Sequence, residues 1–154
     1  MRKMVSGTIF RFLALTVPAL AWATPPDACT VLTMADINSI AGGAAEKVQP
    51  RKSGNPSECG FLDARRAAVL VISIREVQYA AENELQYERE TLEKIYRSKV
   101  KWLPAIGDNA FWLGANKQLV FRKGKTIASV TFARPANQNE IDTAQIARLV
   151  ESRL

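Results

Sequence analysis

Residues 77–98, VQYAAENELQYERETLEKIYRS, lie inside the longest run free of glycine and proline, and they separate a pair of blocks patterned as antiparallel strands. Ala81, Leu85, Leu92, Ile95 and Tyr96 recur at helical spacing, which predicts an amphipathic helix of about six turns. Glu90 with Lys94, and Glu93 with Arg97, stand four apart with the acid first, an orientation worth ~0.3 kcal/mol per pair. The apolar stripe carries one notch, where a step falls on Glu88 and Arg89. A long helix between two strand blocks sets the expected class as α+β.

Upstream of the helix the strand signals are short. The stretch 46–49 reads as an edge strand, and Ser53-Gly54-Asn55-Pro56 as a turn. Strands follow at Glu58–Leu62 and Ala67–Arg75, separated by Asp63-Ala64-Arg65-Arg66, whose arginine pair reads as a solvated turn, with an anion site as the sharper alternative. In the second of these strands Ala68, Leu70, Ile72 and Ile74 share one face, and Val69, Val71 and Ser73 the other. Both faces are largely apolar, so this strand belongs in the middle of a sheet covered by helices on one side.

Downstream, Val100–Leu103 forms a short strand closed by Pro104, and Gly107-Asp108-Asn109 a turn in which Asp108 is expected to bond local backbone. Strands at Ala110–Leu113, Gln118–Arg122 and Thr126–Ala133 follow, and Arg134-Pro135 ends the sheet. A two-residue loop after Lys123 places Leu119 and Phe121 on the same face as Ala128, Val130 and Phe132, whereas a three-residue loop would mix them with Ser129 and Thr131. A last helix begins near Glu140, capped by Asn139, with Ile146, Leu149, Val150 and Leu154 inward. The stretch Asn55–Phe61 parallels Ile106–Trp112, so the two helix-plus-meander halves suggest an internal duplication packed by the long central helix and the C-terminal one.

The N-terminus reads as a secretory signal. Arg2 and Lys3 precede an apolar stretch, Phe12–Trp22, which ends in Ala21-Trp22-Ala23, a small-x-small site. Arg11 and Pro18 break the run below the ~20 apolar residues a membrane span needs. The expected organisation is a signal peptide over residues 1–23 and a single domain over 24–154, exported to the periplasm or beyond, without stable membrane insertion. Losing Arg2, Lys3 and Arg11 lowers the formal charge from +6 to +3. Such a balance reads as ordinary colloidal stability; a nucleic-acid partner would want basic residues clustered on one face, and export argues against it, with attraction to an acidic envelope polymer as the alternative.

Export makes the cysteines informative. Cys29 and Cys59 are the only two in the chain, and in an oxidising compartment an even count reads as a disulfide. Their spacing is not that of a CxxC redox site, and the chain has no histidine to complete a zinc site. Between them Thr33 and Asp36 form an acidic capping box, with Leu32 and Ile37 as the staple, and Gly42-Gly43 stops a short helix from Met34 to Ala41. Ile37, Ile40 and Ala41 are its expected inner side.

Cys29-Thr30-Val31-Leu32-Thr33, then Cys59-Gly60-Phe61, then Ile106-Gly107-Asp108-Asn109-Ala110-Phe111-Trp112, resemble small exported bacterial domains of uncharacterised function. Many of these are actinobacterial secreted lipoproteins, and some are related to extracellular sensor domains. The resemblance implies an α/β sandwich-like fold with a disulfide and hands over no catalytic residue. The chain departs from the lipoproteins at Pro26-Asp27-Ala28 before Cys29, where a lipobox would place an aliphatic residue three before the cysteine.

Candidate chemistry is sparse. Without histidine the chain lacks the commonest general base and nucleophile activator. The serines fit no nucleophile elbow, and no glycine-rich phosphate loop follows a strand. Glu82, Glu84, Glu88, Glu90 and Glu93 cluster on the long helix, where a solvated face is the ordinary reading and a paired-carboxylate hydrolase the alternative. The expectation is a non-catalytic binding or interaction module of the envelope, without metal or cofactor, whose partner is an envelope protein or a small ligand. A histidine-free enzyme and a structural accessory of a membrane complex are the other classes. The candidate contact residues are Lys101, Trp102 and Trp112, because an aromatic beside a cation on an edge strand makes an amphipathic anchor. Phe111 and Trp112 are adjacent, so their rings face opposite sides, and Trp102 or Trp112 is expected to be substantially exposed.

Overall fold

The computed structural model describes residues 26–133 and 140–154. Four helices and a seven-stranded antiparallel sheet make an α+β fold with one disulfide. The elements run α1 (Ala28–Val31), α2 (Met34–Ala41), β1 (Lys47–Lys52), β2 (Ser57–Leu62), β3 (Ala68–Glu76), α3 (Ala81–Tyr96), β4 (Lys101–Leu103), β5 (Asn109–Leu113), β6 (Gln118–Lys123), β7 (Thr126–Phe132) and α4 (Glu140–Arg153). The expected signal peptide and the Asn139 cap lie outside the described residues.

The two meanders join into one sheet rather than two. Strand order is β1-β2-β3-β7-β6-β5-β4, with β3 against β7 at the seam. Leu70, Ile72 and Ile74 of β3 oppose Phe132, Val130 and Ala128 across that seam, and all six are essentially buried. A two-residue hairpin joins β6 to β7, with Lys123 opposite Thr126 and Gly124 at φ +57°. Leu119 therefore meets Val130, and Phe121 meets Ala128, the register the apolar pattern requires.

The two faces are covered differently. Helices α1, α2 and α4 close one face over a large core that includes Ile37, Phe61, Ile72, Phe121, Val130, Ile146 and Val150. Helix α3 alone covers some of the other, where Leu85 packs with Phe111, Val120 and Ile127. The smaller face has few apolar residues because most of its positions on β1–β3 are polar or open, Glu58, Gly60 and Ser73 among them.

Local signals explain the ends of α2. Thr33 Oγ1 accepts from the Asp36 amide at 3.2 Å, and the Asp36 carboxylate accepts from the Thr33 amide at 2.8 Å. Gly42 closes the helix at φ +68°. Arg153, at the far end of α4, donates to both oxygens of Asp36 at 2.6 and 3.1 Å and to the Val31 carbonyl at 2.8 Å, locking α2 to α4. The bond from Arg153 holds the Asp36 carboxyl well below the usual carboxylate range, and the Thr33 bonds add to it against the cost of burial.

The Cys29–Cys59 bridge ties α1 to β2 across a sequence separation of 30, a loop worth roughly 3–4 kcal/mol in the chain-entropy account. Beside it the Ala28 amide donates to Ser57 Oγ at 3.0 Å, inside the core. The four-residue α1, capped by Asp27 onto the Cys29 amide, was not expected from the sequence. So short a helix shows no periodicity to read.

Other motifs resolve as structure. Asp63 accepts from the Arg65 and Ala67 amides with Arg66 at φ +63°, so the arginine pair rides a tight turn. Asp108 reaches beyond its own turn: its carboxylate accepts from the Gly124 amide at 2.8 Å and pairs with Arg122 at 3.3 Å. A Cβ on Gly107 would stand 2.1 Å from the Arg122 carbonyl oxygen, so only glycine fits there.

The halves are not copies in the register their motifs suggest. That register matches Phe61 with Trp112, and both point to the face carrying α1, α2 and α4. The helix preceding the second block, α3, lies on the other face. Sliding by one residue pairs Phe61 with Phe111, and each phenylalanine then points to the face of the helix that precedes its own block.

Candidate functional site

Strand β4 is three residues long, pairs only with β5 and forms one margin of the sheet. Pro104 cannot continue the ladder, and Ala105 turns the chain away at φ +64°. The opposite margin, β1, is longer but shielded. It carries Lys47, Pro50, Arg51 and Lys52 with a register shift after Pro50, devices that discourage a further strand.

Alternation along β4 separates the expected contact residues. Lys101 opposes Trp112, and Trp102 opposes Phe111. Trp112 packs half-buried against the large core, and Lys101, on the same face, donates to both oxygens of Glu140 at 2.8 and 2.9 Å. Trp102 lies on the opposite face and is 48% exposed. Of the two tryptophans weighed, Trp102 is the exposed one. Lys101, Trp102 and Trp112 do not converge: Lys101 and Trp112 share one face and Trp102 takes the other, because adjacent residues on a regular strand face opposite sides.

What converges on Trp102 comes from α3. Its ring meets Phe111 edge-on, with centroids 6.0 Å apart and planes at 81°, and the Arg89 guanidinium carbon sits 5.8 Å from its centroid. A cation over an indole face at this distance is worth ~0.5–1 kcal/mol when exposed. The notch in the helical stripe therefore has a purpose on each side. Glu88 turns to Arg75 of β3 at 2.8 Å, with Glu84 joining at 3.4 Å, while Arg89 turns to Trp102. The notch was the signal for this site, but the partners of its two charges could not be named without the topology.

The end of the stripe departs from expectation. Leu85 is buried and Leu92 half-buried, but Ile95 is 66% and Tyr96 42% exposed. At the C-terminal turn of α3 the rest of the fold leaves both side chains largely uncovered.

The same end of α3 borders a cavity of about 510 Å³ lined by Arg89, Glu90, Glu93, Lys94, Arg97, Ser98 and Lys99. The two carboxylates are already engaged. Glu93 accepts from the Val100 amide at 3.0 Å and faces Lys99 and Arg89, and the Val100 bond holds its carboxyl below the ordinary value. Glu90 accepts from Gln86 at 2.9 Å and Arg89 at 3.4 Å. Lys94 and Arg97 are exposed with no acidic partner among the described residues, and the Lys99 side chain is 91% exposed. The groove thus holds four cations and two carboxylates; Arg89 and Lys99 pair with the carboxylates, which leaves Lys94 and Arg97 unspent.

Two smaller cavities also border β4. One, about 280 Å³, lies between Leu103, Pro104 and the start of α4, with the exposed Ile141 on its wall. The other, about 370 Å³, follows the loop from Trp102 to Ala110.

Among the described residues no group of histidine, cysteine, aspartate or glutamate side chains is placed to hold a metal ion. Glu84 and Glu88 share Arg75, and Glu82 is exposed on the far side of α3. No described helix is long and apolar enough to cross a membrane. No protein-family model and no curated protein sequence matches the chain.

Proposed function

We propose that the mature chain is an exported, non-catalytic binding module of the bacterial envelope, and that it meets its partner at the corner formed by β4 and the end of α3. The observation that carries this reading is Trp102, half exposed on the marginal strand with Arg89 against its ring. Tryptophan and arginine are enriched among the few side chains that carry most of the binding energy at protein interfaces. The disulfide supports an oxidising compartment. The resemblance to exported bacterial domains points the same way, as does the leader-like N-terminus.

The carboxylates support this reading over a hydrolase. A glycosidase pair faces a cleft across the scissile bond, whereas Glu84 and Glu88 spend their charge on one arginine. The test is retention of envelope-extract proteins on immobilised mature chain, comparing wild type with Trp102→Ala at matched circular dichroism. A partner that the wild type retains and Trp102→Ala loses supports the module. Equal retention by both moves the site elsewhere.

A further inference from the structure

Three features meet at β4 that no other strand margin among the described residues combines. Its outer side pairs with no strand among the described residues. In an extended strand the amide and carbonyl groups of successive residues point alternately to the two margins. Either Trp102, or Lys101 and Leu103, must therefore aim its backbone donor and acceptor outward. The β1 margin offers the same chemistry behind lysines, a proline and a bulge; β4 is guarded by its shortness, Lys101 and the closing Pro104, but it has no bulge to twist its edge away.

A hollow lies on the α4 face of the strand, between Leu103 and Ile141, and the half-exposed Trp102 ring stands on the α3 face. An added strand would set successive side chains alternately beside the hollow and beside that ring, the arrangement by which strand-addition sites read sequence. The cationic groove lies off the N-terminal end of β4, with Lys94 and Arg97 unspent.

We infer that β4 accepts an extended segment of a partner protein as an eighth strand, with acidic residues at the end lying over Lys94, Arg97 and Lys99. Antiparallel addition makes that the C-terminal end of the segment, because β4 runs away from the groove. The inference rests on the binding-module reading and deepens it by naming the partner's chemistry. Charge complementarity favours an acidic terminus. The backbone edge favours a peptide over an anionic polymer, because only a peptide supplies the matching amides and carbonyls. The last turn of α3 presents its own carbonyl dipoles to the groove, which opposes a free anion and makes the strand contacts necessary for affinity.

The experiment titrates the isotopically labelled, oxidised mature chain with a peptide of alternating valine and threonine ending in two glutamates. Four controls run beside it: the same peptide N-methylated along one backbone edge, a second N-methylated along the other, a version ending in two lysines, and dextran sulfate. The expected result is amide shifts at residues 101–103 with slowed exchange there, and a loss of roughly tenfold or more in affinity for the lysine version and for one of the N-methylated versions. Equal affinity for all peptides overturns the inference, as does a response on β1 instead. Dextran sulfate perturbing the groove while no peptide touches β4 makes the site a polyanion site and also overturns it. If no peptide binds at millimolar concentration, strand addition fails, while the Trp102-dependent retention above stands or falls separately.

Discussion

Helix α3 carries half of the proposed site on very little buried surface, so Leu85→Ala should loosen the site without unfolding the domain. Leu85 is the only buried residue of the helix, 2% exposed, and its neighbours Phe111, Val120 and Ile127 complete a cluster separate from the main core. Leucine-to-alanine changes in a packed site cost ~2–5 kcal/mol, the lower end applying where the surroundings can relax. This cluster is small and covered by α3 alone, so its cover can relax, which places the expected cost at about 2–3 kcal/mol. An isolated helix of this length is marginal in water, so α3 has little intrinsic stability to fall back on. Hydrogen exchange read as opening equilibria should quicken at α3 amides by roughly 30- to 150-fold, the factor that energy implies. Amides of β3 and β7, at the seam of the sheet, should keep their wild-type protection. Uniform acceleration across β3, β7 and α3 would refute the reasoning, because it would make α3 belong to the global folding unit. Unchanged α3 protection would refute it as directly.

Three further outcomes follow from other contacts. Asp36→Asn should cost about 1–2 kcal/mol at neutral pH, by weakening the cap and the bond to Arg153, and lower the urea midpoint accordingly. Because the folded carboxyl is held below its unfolded value of ~3.9, its contribution is complete above that pH and fades as pH falls further; the variant's stability should therefore fall less steeply in acid than the wild type's. Replacing Cys29 and Cys59 together by serine should remove about 2–5 kcal/mol, and intact mass of the untreated exported protein should show a chain beginning at Thr24 with no free thiol. Gly107→Ala should destabilise measurably, since the added methyl meets the Arg122 carbonyl and φ is +57°; a wild-type melting temperature would contradict that geometry.

Much of the fold was legible because its signals are local. The Thr33–Asp36 box, Gly42 and the alternation in β3 each fix structure within a few residues. The β6–β7 register followed from matching two apolar faces across a two-residue loop. The joining of the two meanders into one sheet was not legible, because the β3–β7 pairing is a long-range contact with no short sequence signature. Which face each helix takes was hidden for the same reason, and it misled the register of the apparent duplication. At the candidate site, sequence separated Phe111 from Trp112 correctly and marked Trp102 as a margin residue. It grouped Lys101 and Trp112 with Trp102 by proximity along the chain, although alternation puts them on the other face. Arg89 was seen as a break in the stripe, and its place against Trp102 needed the β4–β5 pairing to be known.

Site-specific photocrosslinking from position 102 tests most directly whether the β4 corner is where a partner docks. A photoreactive phenylalanine analogue would replace Trp102 in one exported variant and Tyr79 in another. Tyr79 is 84% exposed and lies with Glu76 and Lys125 rather than with the residues lining the β4 cavities, and so reports non-specific capture. Docking at β4 predicts a discrete adduct from position 102 in the intact envelope and none from position 79. The same adducts from both positions, or an adduct from position 79 alone, would contradict it.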